Sequence, residues 1–445
     1  MNDMNFRGSI PTMGRIRQDG GYAWFVVYLL TFAYTVAFID RQVLNLLVDP
    51  IKHDMLLTDV QISLLQGFSF MTAYVIFGPL FGRWVDTGNR RNVLVLGVTL
   101  WSCFTVLCGL SQEYWHLFLA RAGVGAAEAC LAPAGFSLIA DYFSRKRLPR
   151  AMSIFMLGPS LGAGLALIAG GLVISSAKSL GVMFPLLASL KTWQLTFVMV
   201  GVPGLLLAAI LLTVREPERS SMKSAVTSDE HFTLRETLAY FWENRAFYLG
   251  YFVGLSLLAI VVYGLPTWMP AYLMRHFGAD PASVGLRYGA QVLIIGAIGI
   301  YSGPWFERWL LTRGYHDAPV RWPMLCAVIV GLLCIALPFA DSVGSTLAIA
   351  GLINLFYALP YAVAGAALQI STPNRMRGIA VSIYYFLVSV FGLGIAPSVI
   401  AFVTEHILGD PAKVGISLAI VCCISAFASA WCLRGAMKHY REAEN

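Results

Sequence analysis

Long apolar runs separated by polar breaks make up most of this chain. About 20 apolar residues cross the hydrocarbon of a bilayer. By that measure about twelve runs qualify: 22–48, 60–83, 92–111, 115–140, 152–176, 194–214, 246–272, 285–310, 322–340, 345–371, 379–404 and 414–434. Glycine and proline recur inside them, which transmembrane helices tolerate when neighbours re-satisfy the backbone. The pattern predicts an all-α membrane protein. The longest polar break divides the runs six and six. The expected organisation is a tail (1–21), a six-helix lobe (22–214), a linker (215–245), a second six-helix lobe (246–434) and a tail (435–445).

Composition agrees. The chain is 58% hydrophobic and 12% charged, half the charge of a soluble domain. No polar stretch is long enough to bury a soluble core. The first twenty residues are polar and the run after them exceeds a signal-peptide core, so no cleavable signal is expected. A net charge of +7 reads here as topology rather than nucleic-acid affinity. With the amino terminus in the cytoplasm, Lys and Arg favour the cytoplasmic segments roughly four to one, for example Arg83, Arg90, Arg91, Arg145–Arg150, Arg308 and Arg377. Both termini are then cytoplasmic. The absence of an N-x-S/T sequon favours a bacterial inner membrane. The eight cysteines fall in apolar runs without metal-ligand spacing and read as small hydrophobes packed among helices.

The halves echo each other. Gly78-x3-Gly82-x3-Asp86 closes the second run, and Gly299-x3-Gly303-x3-Glu307 closes the eighth. Basic residues precede the fifth run at 145–150 and the eleventh at 375–377, and Gly/Pro clusters sit inside both (Gly158, Pro159, Gly162; Gly392, Gly394, Pro397). Corresponding punctuation points to duplicated six-helix halves, although small-xxx-small spacing is common in membrane helices generally.

The most specific local pattern is Gly82-Arg83-Trp84-Val85-Asp86-Thr87-Gly88-Asn89-Arg90-Arg91. Gly82 is expected to allow close helix approach, and Gly88 to supply a turn. Asp86 at a helix C-terminus needs a partner against the macrodipole. The pattern resembles the loop between helices two and three of the major facilitator superfamily. Three further segments resemble the spinster branch of that superfamily: Phe38-Ile39-Asp40-Arg41-Gln42 onward to Lys52, Gln61 to Phe68, and Arg121-x3-Gly125-x2-Glu128-Ala129 onward to Asp141. The resemblance implies two pseudo-symmetric six-helix bundles. It also implies a cytoplasmic gate built from Gly82, Asp86, Gly88, Arg90, Arg91, Asp141, Glu307 and Arg377. In that gate Asp86 would pair with Arg377, and Glu307 would face Arg150. The implied activity is proton-linked movement of lipids such as lysophospholipids or sphingoid phosphates, with no cofactor beyond the proton gradient.

Four charges lie inside the apolar runs: Asp40 and Arg41 in the first, Arg121 and Glu128 in the fourth. A charge at the bilayer centre costs about 2.5–3.5 kcal/mol even on lenient scales, so such residues tend to face a wet cavity or a partner. Arg121 and Glu128 are seven residues apart and share a helix face. Depths of roughly 9, 14 and 20 Å for Arg121, Asp40 and Glu128 let all four cluster. Glu128, the deepest, is the expected proton site, with Asp40, Arg41 and Arg121 as partners; protonation would release Arg121 or Arg41 to an anionic substrate. A static interhelical salt bridge is the plainer reading.

Aromatic residues without charges mark runs seven and ten: Tyr263, Trp268, Tyr357 and Tyr361. With Phe38, Arg41 and Arg121 they are the expected substrate-binding set, although each aromatic alone also suits simple packing. No catalytic, nucleotide-binding or metal-binding motif occurs, so a catalytic residue, a metal and an enzyme activity are not expected. The expected contacts are membrane lipids and a small amphiphilic substrate, with no nucleic acid, and the expected state is a monomer. The rival readings are a drug or organic-solute exporter of the same superfamily, for which Gly158-Pro159 partly resembles an antiporter motif, and a membrane-embedded lipid enzyme or receptor.

Overall fold

The computed structural model describes residues 19–144, 146–183, 189–219, 234–373 and 376–444. The expected tail up to residue 18, Arg145, residues 220–233 of the linker and Arg375 lie outside the described residues. Among the described residues twelve helices are long and apolar enough to span a membrane: α1 (Gly21–Leu46), α2 (Asp59–Thr87), α3 (Arg90–Gly109), α4 (Tyr114–Tyr142), α5 (Leu148–Ser176), α6 (Thr192–Leu211), α7 (Arg245–Phe277), α8 (Pro281–Thr312), α9 (Ala318–Phe339), α10 (Val343–Gly365), α11 (Arg377–Ile407) and α12 (Pro411–Tyr440). Each overlaps one of the twelve apolar runs. α7 runs past its apolar stretch, through Arg275, until Gly278, at φ +62°, stops it.

Local chemistry sets the ends. Thr58 and Gln61 cap α2 reciprocally, Asn89 accepts from the Asn92 N–H to start α3, and Asp280 before Pro281 does the same for α8. These side chains satisfy N–H groups that a first helical turn leaves without partners.

Within each lobe the backbones touch where a side chain would not fit. A Cβ on Gly125 would sit 2.2 Å from the Phe70 carbonyl oxygen, so α2 and α4 meet directly. Gly303 of α8 lies as close to Leu359. Gly158 and Gly162 of α5 seat Tyr34 and Phe38 of α1, which gives the Gly158-Pro159 element a packing role. Gly82, in contrast, has open space where its Cβ would be; the close approach expected there is made at Gly125 instead. Gly125→Val should therefore destabilise the fold by about 1–3 kcal/mol through overpacking. A melting temperature equal to the parent's would show that α2 can step aside.

Among the described residues the lobes meet at one end of the membrane span. There Gly164 and Gly289 press against each other's carbonyls, joining α5 to α8. A π-turn in α2 (Leu64–Phe68) faces a π-turn in α11 (Ser389–Ile395), and a Cβ on Gly67 would strike the Leu393 carbonyl. We call this the closed end. Toward the arginine-rich loops the lobes part, and Tyr361, Tyr385 and Phe386 are exposed. A cavity between the lobes opens that way.

Candidate functional site

Backbone irregularities position the four intramembrane charges. α1 tightens into a 3-10 turn at Val43–Leu46, just beyond Arg41. α4 loses its helical form for two residues at Ala129–Cys130, directly after Glu128. Pro133 accounts for that break, since it offers the Ala129 carbonyl no N–H and its ring crowds it. The π-turn of α2 presents the Leu65 carbonyl to α4.

The four charges form two different units. Arg41 Nη2 lies 2.5 Å from Glu128 Oε2, with the side chains 10% and 1% exposed. The guanidinium stacks on Phe70 at 4.2 Å and on Phe38 at 4.5 Å, with Tyr74 at 5.7 Å. Arg121 does not touch Glu128. Its Nε donates to the Leu65 carbonyl and its Nη1 to the Asp40 carbonyl, both at 3.3 Å. The Asp40 carboxylate accepts a 3.1 Å hydrogen bond from Thr105 Oγ1. Among the described residues no cation lies within ion-pair distance of it. The expectation that protonation could release either arginine therefore narrows to Arg41. Asp40, Arg121 and Glu128 are all almost wholly buried, yet Asp40 Oδ1, Arg41 Nε, Arg121 Nη2 and Glu128 Oε1 each lack a hydrogen-bond partner. Buried polar groups in native proteins are nearly always paired, so four such atoms in one cluster mark this as the candidate site.

Across from the cluster, the second lobe offers a small apolar recess with a cavity volume of about 30 Å³. Leu258, Val262, Tyr263, Tyr357, Tyr361 and Tyr384 line it. Tyr263 is near enough to feel the Arg41 charge, and Tyr361 is near Tyr34 of α1. Of the four aromatics read as substrate-binding in this lobe, three are in the recess. Trp268 is not: it is fully buried, and its Nε1 donates to the Pro397 carbonyl at 3.0 Å. That indole pins α7 to α11. Tyr384 and Leu258 belong to the recess and were missed; Phe70, Tyr74 and Thr105 were missed beside the charges. None carries a sequence signal that separates it from packing residues.

At the closed end Arg275 of α7 spans both lobes. Its Nη1 and Nη2 each donate at 2.9 Å to one oxygen of Asp59, and its Nε donates to Asp49 at 2.8 Å. Lys52 adds a 2.7 Å bond to the same Asp59. Glu405 accepts from the Val60 N–H, Ser63 donates to Ser398, and Gln66 donates to the Thr267 carbonyl.

The expected gate residues lie at the open end. Arg377 Nε donates to the Thr372 carbonyl in its own lobe, not to Asp86. Arg150 lies over Trp24, not against Glu307. Arg90 is 1% exposed and bonds to Asp141, Glu216, Ser137 and Pro217. Glu216 also accepts from the Arg91 N–H. Arg219 reaches the carbonyls of Val85, Asp86 and Gly88. Gly88 has φ −97° and needs no glycine for its backbone; a Cβ there would crowd Trp84. Among the described residues no group of His, Cys, Asp and Glu could hold a metal.

Residues 30–397 match the model of the Major Facilitator Superfamily. An "MFS-type efflux pump" of Mycolicibacterium smegmatis is 29% identical over 429 residues, covering 94% of this chain and 93% of that protein. Protein spinster homolog 1 of Xenopus tropicalis is 27% identical, covering 86% of this chain and 73% of that protein. Among solved structures, a bacterial homologue of the human lysosomal transporter Spinster, inward-facing and unoccupied, aligns with TM-score 0.77 at 26% identity, covering 95% and 97% of the two chains. The same homologue in an occupied state aligns at 0.78.

Proposed function

The chain belongs to the Major Facilitator Superfamily, in its spinster-like branch, and on the premise that it is an integral membrane transporter and not an enzyme we propose that it moves an amphiphilic anion by alternating access, driven by protons. The observation that carries this reading is the Arg41–Glu128 pair beside polar atoms that have no partner, at the edge of a cavity whose other wall is apolar. A proton on Glu128 removes the charge that holds Arg41. The guanidinium is then free to take a phosphate or carboxylate as a two-pronged donor. The alkyl part of the substrate lies against the tyrosine-lined wall of the second lobe. Asp40 and Arg121 set the position of α1 against α2 and α4.

The excess of Lys and Arg at the open end supports a cytoplasmic placement of that end and of both termini, in a bacterial inner membrane, with the protein working as a monomer. On this orientation the structure is inward-facing. Rocking of the lobes would close the Asp86 and Glu307 gates as the Arg275 contacts part. The relative described as an efflux pump favours a second reading, export of a drug or other organic solute.

Uptake into proteoliposomes, over a panel of lysophospholipids, sphingoid phosphates and cationic drugs with and without a pH gradient, separates the two. Concentration of an anionic lipid at least tenfold above its cationic competitors is the expected result. Preferential transport of cations would overturn the anion reading.

A further inference from the structure

A second polar recess lies on the outside of the first lobe, away from the cavity. It has a volume of about 330 Å³ and is lined by Trp24, Tyr28, Arg147 and Arg150, where the start of α5 meets the start of α1. Arg150 lies 5.7 Å from the Trp24 ring and makes no hydrogen bond or ion pair among the described residues. Arg147 makes one hydrogen bond, from Nη1 to the Asp19 carbonyl, leaving most of its guanidinium open. The neighbouring carboxylate of Asp19 accepts from the Ser144 N–H at 3.0 Å. Lys146 is exposed beside them.

The surface that continues from this recess is apolar. Phe25, Tyr28 and Phe32 are 47%, 59% and 54% exposed, and their spacing puts them on one face of α1. Arg41 follows Phe32 by nine residues, about half a turn round the helix, so this face points away from the transport cluster. An exposed aromatic face on a membrane-spanning helix meets acyl chains. Tyr and Trp at the end of such a helix sit at headgroup level.

We infer that the Trp24–Tyr28–Arg147–Arg150 recess binds the headgroup of an anionic membrane phospholipid, whose acyl chains run along Phe25, Tyr28 and Phe32. Basic pockets between helices at the interface are suited to such headgroups, and arginine matches phosphate with paired donors. The positive end of α5, which begins at Leu148, adds to the attraction. The site stands independently of what the cavity carries.

The test is native mass spectrometry of the full-length protein released from phosphatidylcholine nanodiscs doped with phosphatidylglycerol. The parent should retain phosphatidylglycerol in preference to phosphatidylcholine. Arg147→Gln/Arg150→Gln should weaken that retention about 25-fold, roughly five-fold per arginine. Arg308→Gln, another basic residue near the end of a span, should leave it unchanged. Equal retention by the double variant would overturn the assignment, as would displacement of the lipid by inorganic phosphate at matched concentration, which would mark a site for free anions. A second measurement needs no variant. Phosphatidylglycerol carrying a photoreactive group on its headgroup should label the α1 or α5 peptides that contain Trp24, Tyr28 or Arg150. Labelling confined to other helices would refute the site.

Discussion

Replacing Arg275 with alanine should open the closed end. Asp59 is 1% exposed and its two oxygens both rest on Arg275, so the variant leaves a buried carboxylate with Lys52 alone. Breaking a buried ion pair costs about 3–5 kcal/mol. Arg275 also bonds to Asp49, whose side chain is 34% exposed, and that contact contributes little after screening. We expect a net loss of about 2–4 kcal/mol from the closed-end state, roughly a 30- to 1000-fold shift of the conformational equilibrium. Spin labels on cysteines introduced at Leu56 and Ala412, in a background without the native cysteines, would report the distance between the lobes there. A longer distance is expected in Arg275→Ala and a smaller change in Arg275→Lys. Identical distance distributions in parent and alanine variant would remove this cluster from the conformational equilibrium.

Glu128→Gln should uncouple the transporter from protons. The amide keeps the shape but cannot gain or lose the charge that holds Arg41. Gradient-driven accumulation should fall by at least a hundredfold and lose its pH dependence. Exchange of substrate between equal pools, which needs no proton, should fall less. The variant should also be less stable by about 3–5 kcal/mol, since Arg41 stays buried without its partner. The double variant Arg41→Gln/Glu128→Gln separates the two effects: it should regain most of the stability and none of the transport. Retention of the parent's pH dependence by Glu128→Gln would end the role proposed for this carboxylate.

The twelve helices were legible because a membrane imposes a minimum apolar length that few other constraints imitate. The intramembrane charges were legible for the same energetic reason. What the sequence hid was which way each side chain faces. A helix surrounded by lipid and other helices is apolar all round, so the spacing of Tyr263, Trp268, Tyr357 and Tyr361 could not separate the cavity residues from the buried Trp268. Arg275 read only as a charge outside the membrane, because its partners Asp49 and Asp59 lie over 200 residues away in sequence. The expected Asp86–Arg377 pairing is not made in this structure, where Arg377 bonds to the Thr372 carbonyl of its own lobe. Gly82 and Gly125 carry the same residue type in similar surroundings, and only the fold tells which one faces a neighbouring backbone.

The short segment after α6 has a bearing on how such a chain can be cut and recombined. Glu216 supplies Arg90 with one of its two carboxylates, and Arg219 ties down the end of α2. Both belong physically to the first lobe although they follow its last span. A gene broken at residue 214 would encode a first half with a buried guanidinium short of one counter-charge. A break just after residue 219 would keep both contacts within that half. Two halves expressed from separate messages, or exchanged between relatives, should assemble only when the junction respects these five residues.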